Sequence, residues 1–145
     1  MRRPTQLSPA LLVLLITASL LSFVSGAVVW WIQIQRARDF ESAHLSLQPW
    51  LTIHGGLNPL LAVLFGFMWS HHMRIGWRAG LNRFTGILMA GLFAILILTG
   101  TGLYYSGSET LRAVLKNLHQ WSGLALPLLL TAHWVAGLRA IRSRK

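Results

Sequence analysis

The sequence predicts an all-α integral membrane protein, a bundle of four transmembrane helices. Three observations carry this prediction: 54% of the 145 residues are hydrophobic, 11% are charged, and the charged residues leave four long uncharged stretches. A soluble domain usually has about a quarter of its residues charged, so that class is excluded. The stretches are continuously apolar rather than alternating with a period of two, which excludes a β-barrel.

Each uncharged stretch exceeds the roughly 20 residues that an α-helix needs to cross a bilayer. Short connections join the stretches, so the chain is predicted to form a single transmembrane domain over residues 1–145. Pro59 and Pro127 fall inside the second and fourth helices and predict kinks there. The predicted helices lie near residues 10–33, 48–73, 84–105 and 118–141.

The first stretch also resembles a signal peptide, because Arg2 and Arg3 precede an apolar run that leads to Ser25-Gly26-Ala27. The apolar run continues through Trp30 and Ile34, beyond that small-residue segment. We therefore predict a retained helix.

The distribution of Lys and Arg predicts the orientation in the membrane. With the N-terminus inside, nine basic residues fall on the inner side and four on the outer, and all acids fall outside. Both termini are therefore predicted to be cytoplasmic. The inner set is Arg2, Arg3, Arg74, Arg78, Arg83, Arg139, Arg142, Arg144 and Lys145; the outer set is Arg36, Arg38, Arg112 and Lys116, with Asp39, Glu41 and Glu109.

The formal net charge of +10 fits contact with anionic lipid headgroups, and we expect no nucleic-acid partner. The chain has no Cys, which excludes covalent c-type haem attachment, iron–sulfur ligation and Cys-based zinc sites. Because every acid lies in a loop, the membrane portion has no carboxylate site either. Intramembrane ionisable residues mark candidate functional sites, and here they are histidines.

The histidines fall on the second and fourth helices. His119 and His133 are fourteen residues apart, about 40° short of four full turns, so they share one face with a rise of about 21 Å. His54 and His72 are eighteen residues apart, about five full turns, and share a face with a rise of about 27 Å. His71 points about 100° away from that face.

Both helices run from outside to inside, so His54 is predicted to face His119, and His72 to face His133. Two imidazoles meeting in a bundle core at each of two levels is the arrangement that bis-histidine haem ligation needs. The two rises differ by about 6 Å, which helix kinks and tilt can absorb, and His71 remains an alternative inner ligand. His44, in the outer loop, is interpreted as a surface residue.

Haem propionates need cationic or hydrogen-bonding groups near each surface. The inner candidates are Arg83 with Asn82, or Arg74 and Arg78; the outer candidates are Arg112 and Lys116. The imidazole N–H groups need acceptors as well. Backbone carbonyls, Ser122 and Thr131 are the candidates for that role.

The pattern resembles the small four-helix diheme cytochromes b of bacterial membranes. The resemblance covers helices 2 to 4, roughly two thirds of the chain. It implies two non-covalent haem b groups, electron transfer across the membrane and a location in the bacterial inner membrane. The residues that carry it are His54-Gly55-Gly56, His72 with Arg74 and Gly76-Trp77-Arg78, Asn82-Arg83-Phe84-Thr85-Gly86, Thr99-Gly100 through Tyr104-Tyr105, and His119 through His133.

The chain is too small to house a nicotinamide or flavin domain, and no Gly-rich dinucleotide fingerprint is present. We therefore expect an electron-transfer subunit rather than a stand-alone enzyme, relaying electrons between quinone or quinol and a periplasmic cytochrome or larger redox complex. Two alternatives remain open at this stage. One is a histidine-based metal-ion transporter, and the other is a structural subunit of a membrane complex.

Overall fold

A computed structural model of the chain describes residues 8–38, 46–80 and 82–142, and every regular element within those ranges is helical. The predicted all-α class is confirmed for this part of the chain. In chain order, the elements are α1 (Pro9–Arg38), α2 (Gln48–Met68), a π-helical turn (Trp69–Met73), α3 (Arg74–Arg78), α4 (Arg83–Tyr105) and α5 (Glu109–Arg142). Of these, α2, the π turn and α3 follow one another without a break.

Four helical stretches in the described residues are long and apolar enough to cross a membrane. They are Pro9–Arg38, Gln48–Arg78, Arg83–Tyr105 and Glu109–Ala140. This confirms the predicted number and type of spans, while the orientation of the termini stays a prediction. Large apolar side chains lie exposed along these helices, for example Leu128 at 75% and Val63 at 67%. Such exposure is what lipid-facing helices show, because acyl chains solvate them.

The helices run past the predicted bounds at several ends. α1 continues to Arg38 rather than ending near 33, and α5 begins at Glu109 rather than near 118. Ser108 explains the early start, because its hydroxyl accepts a hydrogen bond from the Leu111 N–H at 3.3 Å and its carbonyl one from the Arg112 N–H at 2.9 Å. Charged residues thus mark where the apolar segment ends, not where the helix ends.

The second span continues through α3 and ends in a left-handed turn, beyond the predicted end near 73. Gly80 has a φ of +67°, and its N–H donates to the Trp77 carbonyl at 3.2 Å. Glycine adopts this backbone conformation without a Cβ clash, which is why helices commonly end there. Asn82 follows with a φ of +46°, and Arg83 donates from Nε and Nη2 to the same Trp77 carbonyl at 3.1 and 2.9 Å.

The chain divides into two compact units, Ser8–Leu64 and Phe65–Lys145. The first unit contains α1 and most of α2. The second contains the end of α2, the π turn and α3 to α5, and in it Phe65 stacks on Phe93 of α4 with ring centres 6.2 Å apart. The single domain over residues 1–145 stays a prediction. Several residues used in the sequence analysis lie outside the described ranges: Arg2, Arg3, Asp39, Glu41, His44, Arg144 and Lys145.

Candidate functional site

Two of the predicted ligand histidines meet within the unit Phe65–Lys145. The imidazoles of His72, in the π turn, and His133, on α5, have ring centres 6.2 Å apart and ring planes at 77°. An imidazole nitrogen bound to a metal at about 2.0 Å puts the ring centre about 3 Å from the ion, so two imidazoles on opposite sides of one ion have centres about 6 Å apart. The separation of the two ring centres is therefore compatible with both imidazoles binding one metal ion.

His71 has different surroundings from its neighbour in the chain. Its side chain is exposed, its ring lies parallel to that of Phe67 with centres 5.0 Å apart, and its Nδ1 is 2.8 Å from the Ser70 hydroxyl. The ring that contacts His133 is that of His72. Of the two inner candidates, the geometry favours His72.

His119, on α5, is held by a hydroxyl from the antiparallel helix α4. Its Nδ1 lies 2.8 Å from the Thr99 Oγ1, and Thr99 is buried. The Thr99 hydroxyl is 2.6 Å from the Ile95 carbonyl oxygen. A carbonyl only accepts, so the Thr99 hydroxyl donates to the Ile95 carbonyl.

His133, on α5, is likewise held by a threonine hydroxyl of α4. Its Nδ1 lies 2.9 Å from the Thr85 Oγ1. Thr85 and Thr99 are fourteen residues apart on α4, as His119 and His133 are on α5. The helices run antiparallel, so the first threonine meets the second histidine. The register of α4 against α5 therefore determines both threonine–histidine contacts.

His54, on α2, is held by α1 within the unit Ser8–Leu64. Its Nδ1 donates to the Ser22 carbonyl at 2.8 Å and lies 3.3 Å from the Ser25 Oγ. The Ser25 hydroxyl donates to the Leu21 carbonyl at 2.7 Å and is almost fully buried. Three of the four predicted ligands thus have Nδ1 engaged, and a metal would bind them through Nε2. Ligand histidines in metalloproteins are oriented in this way.

The two histidines predicted to hold the outer haem, His54 and His119, lie in different units. His54 belongs to Ser8–Leu64 and His119 to Phe65–Lys145, and each is described within its own unit. Their pairing across one haem stays a prediction.

Of the predicted acceptors for the imidazole N–H groups, the structure confirms a backbone carbonyl, and the roles of Ser122 and Thr131 stay predictions. A backbone carbonyl, that of Ser22, does serve His54. Thr131 donates to the Pro127 carbonyl of its own helix at 2.8 Å, and Ser122 is buried. The residues missed were Ser25, Thr85 and Thr99. The signal that identifies the threonines is their fourteen-residue spacing, which matches that of His119 and His133.

The residues predicted to contact the haem propionates differ in the contacts that they make within the protein. Arg83 donates to the Trp77 carbonyl and lies over the Trp77 ring, with its Cζ 5.2 Å from the ring centre, so it is part of the turn before α4. Asn82 is half-buried in that turn. The other four candidates are exposed: Arg74, Arg78, Arg112 and Lys116. Their role as propionate contacts stays a prediction.

Among the described residues, no group of three or more His, Asp or Glu side chains lies close enough to hold a metal ion. Comparison with protein-family models, with curated proteins and with solved structures finds no match to this chain. The described residues provide four histidine side chains on apolar helices, and three of these histidines have a hydrogen-bonded Nδ1.

Proposed function

We propose that this chain is a membrane diheme b-type cytochrome. Its electrons pass across the membrane between quinone or quinol and a periplasmic cytochrome or larger redox complex. The observation that carries the proposal is the approach of the His72 and His133 rings, with centres 6.2 Å apart, from two separate helical stretches. The hydrogen bonds at Nδ1 of His54, His119 and His133 support it, because they orient the rings as metal ligands.

In this proposal, His72 and His133 hold the inner haem, and His54 and His119 hold the outer haem. When bound, haem b supplies a reversible one-electron carrier. The protein's own part is to bind the iron through Nε2, to fix each ring through Nδ1 and to exclude water with apolar helices. Two such levels would give electrons a path through a region of low dielectric constant. The location proposed is the bacterial inner membrane, with both termini in the cytoplasm and lipid around the bundle.

The visible spectrum of the purified protein, oxidised and then reduced with dithionite, tests this proposal, with haem quantified per chain. We expect a b-type α band and about two haems per chain. Reduction by a quinol then tests the relay. A wild-type protein without haem, after expression with adequate haem supply, would overturn the diheme function. Bound zinc or copper in its place would favour ion transport, and a colourless, metal-free protein would favour a structural subunit.

Single substitutions test the ligands. His133→Ala and His72→Ala are each expected to lower the haem content from about two to about one, because each removes one axial ligand of the inner haem. His71→Ala is the matched control, since it removes the adjacent histidine whose ring stacks on Phe67. Loss of haem in His71→Ala with retention in His72→Ala would show that the inner ligand is His71.

A further inference from the structure

Two of the threonines of α4, Thr85 and Thr99, each place a hydroxyl beside the Nδ1 of a histidine on α5, and the proposed function does not require a hydroxyl there. Haem ligation needs four imidazoles, and any nearby carbonyl satisfies an imidazole N–H, as the Ser22 carbonyl does for His54. At His119 and His133 the partner is a hydroxyl on another helix instead. Unlike a carbonyl, a hydroxyl can donate or accept, so what it does to the imidazole depends on where its own proton goes.

At Thr99 the destination of that proton is defined. The distance of 2.6 Å from Oγ1 to the Ile95 carbonyl is short, and Thr99 is only 4% exposed, so water does not compete for the hydroxyl. With its proton committed to Ile95, the Thr99 oxygen is an acceptor toward His119. The Nδ1 of His119 therefore carries the ring proton, and its Nε2 carries the lone pair that a metal needs.

At Thr85 the arrangement is the same but looser. Its Oγ1 lies 3.3 Å from the Asn82 carbonyl, compared with 2.6 Å at the other level, while its distance to the His133 Nδ1 is 2.9 Å. The acceptor carbonyl belongs to Asn82, the left-handed residue before α4. The carbonyl that accepts from the Thr85 hydroxyl thus belongs to the turn before α4 rather than to the helix itself.

We propose that Thr99 and Thr85 are positioning residues that hold His119 and His133 in the Nδ1–H tautomer, with Thr99 the firmer of the two. The proposal rests on the proposed function for its role at haem but not for the tautomer itself. A hydrogen bond from Nδ1–H to an acceptor makes the imidazole a stronger donor to a metal. At a haem this stabilises the oxidised iron, so each hydroxyl lowers the midpoint potential of its level.

The first test uses the haem-free full chain and nitrogen-15 NMR of the histidine side chains, with His119→Gln and His133→Gln assigning the signals. In the wild type, His119 is expected to show a single tautomer with a protonated Nδ1. Thr99→Val keeps the branched shape of the side chain and removes the hydroxyl, so His119 becomes a mixture of tautomers. Thr99→Ser restores the single tautomer. Thr85→Val has the same effect at His133.

Thr131→Val is the matched control, because Thr131 lies two residues from His133 and its hydroxyl bonds within its own helix. It is expected to change neither tautomer. A single, unchanged tautomer at His119 in Thr99→Val would overturn the proposal, whatever the protein binds.

The second test uses the haem-loaded protein. Thr99→Val and Thr85→Val are each expected to raise the midpoint potential of one haem and to weaken haem retention about 10- to 100-fold, the usual effect of losing a partner of a metal ligand. The serine variants restore both. Unchanged potentials beside altered tautomers would overturn the electronic role. A wild-type chain that binds no haem would instead overturn the proposed function and leave the NMR result standing.

Discussion

Gly26 is the residue that allows α1 to lie against His54. A Cβ at this position would be 2.7 Å from the His54 Cε1, closer than real Cβ atoms approach other atoms, and 3.1 Å from the His54 Nδ1, which is tighter than most real contacts. The neighbouring Ser22 and Ser25 supply the acceptors for the same ring. Helix α1 therefore contributes to the site at His54, although the family resemblance extended over helices 2 to 4 alone.

Gly26→Ala is expected to displace the His54 ring from the Ser22 carbonyl. Forcing an extra methyl group into a packed contact costs about 1–3 kcal/mol, so the unfolding midpoint in detergent should fall. Gly56→Ala is the control, because it lies two residues after His54 and a Cβ there meets nothing within 4 Å. We expect no fall in that variant, since alanine favours a helix over glycine by about 0.5–1 kcal/mol. Equal unfolding midpoints in the two variants would contradict the role of Gly26.

The sequence predicts which histidines are candidate ligands, but it does not predict the hydroxyl groups that hydrogen-bond to their rings. Helical periodicity predicts His72 on a ligand face and His71 away from it, and in the structure the ring beside His133 is that of His72. The hydroxyls of Thr85 and Thr99 come from a helix other than that of their histidines. Which residues meet across two helices depends on their register, and a single sequence shows register only through matched spacings.

Two glycines lie in the seam between α4 and α5. A Cβ on Gly102 would be 2.9 Å from the Leu115 Cδ1, and one on Gly123 would be 3.9 Å from the Leu96 Cδ2. Small residues of this kind let membrane helices approach closely, because association in lipid relies on packing. The same seam brings Thr99 to His119.

Gly102→Val is expected to force the Leu115 side chain out of its position near the Tyr105 end of α4 and to destabilise the protein by about 1–3 kcal/mol. Gly91→Val is the matched control, because it makes the same substitution on α4 at a position where a Cβ would meet nothing within 4 Å. The two variants therefore change helix propensity equally, and Gly102→Val alone adds a clash with a neighbouring side chain. The measurement is the difference in thermal unfolding midpoint between the two variants. No difference would mean that the seam tolerates the larger side chain.

The four long apolar spans were predictable in number and approximate position, because apolar length dominates in a membrane. Their ends were not, since capping by Ser108 and the left-handed turn at Gly80 decide them locally. The π turn at Trp69–Met73 was not predicted either. Counting eighteen residues from His54 to His72 as five α-helical turns assumes uniform geometry, and π hydrogen bonds span five residues instead of four.

For the whole molecule, the membrane orientation is the prediction with the simplest test. The chain has no cysteine, so a single introduced thiol reports one position without background. Ser108→Cys, between α4 and α5, is expected to react with a membrane-impermeant maleimide in intact cells. Ala79→Cys, at the end of α3, should react only after permeabilisation, because the positive-inside bias puts Arg74, Arg78 and Arg83 in the cytoplasm. The reverse pattern would invert the topology.

The matched register of α4 and α5 limits how this chain can change length. A residue inserted between Thr85 and Thr99 would move one of the two threonine–histidine contacts out of reach while leaving the other in place. An insertion of the same length between His119 and His133 would be needed to restore both contacts. The connection between Tyr105 and Glu109 lies outside both intervals, so length variation there leaves the two spacings untouched. In related chains, insertions and deletions should therefore collect in that connection or occur in compensated pairs.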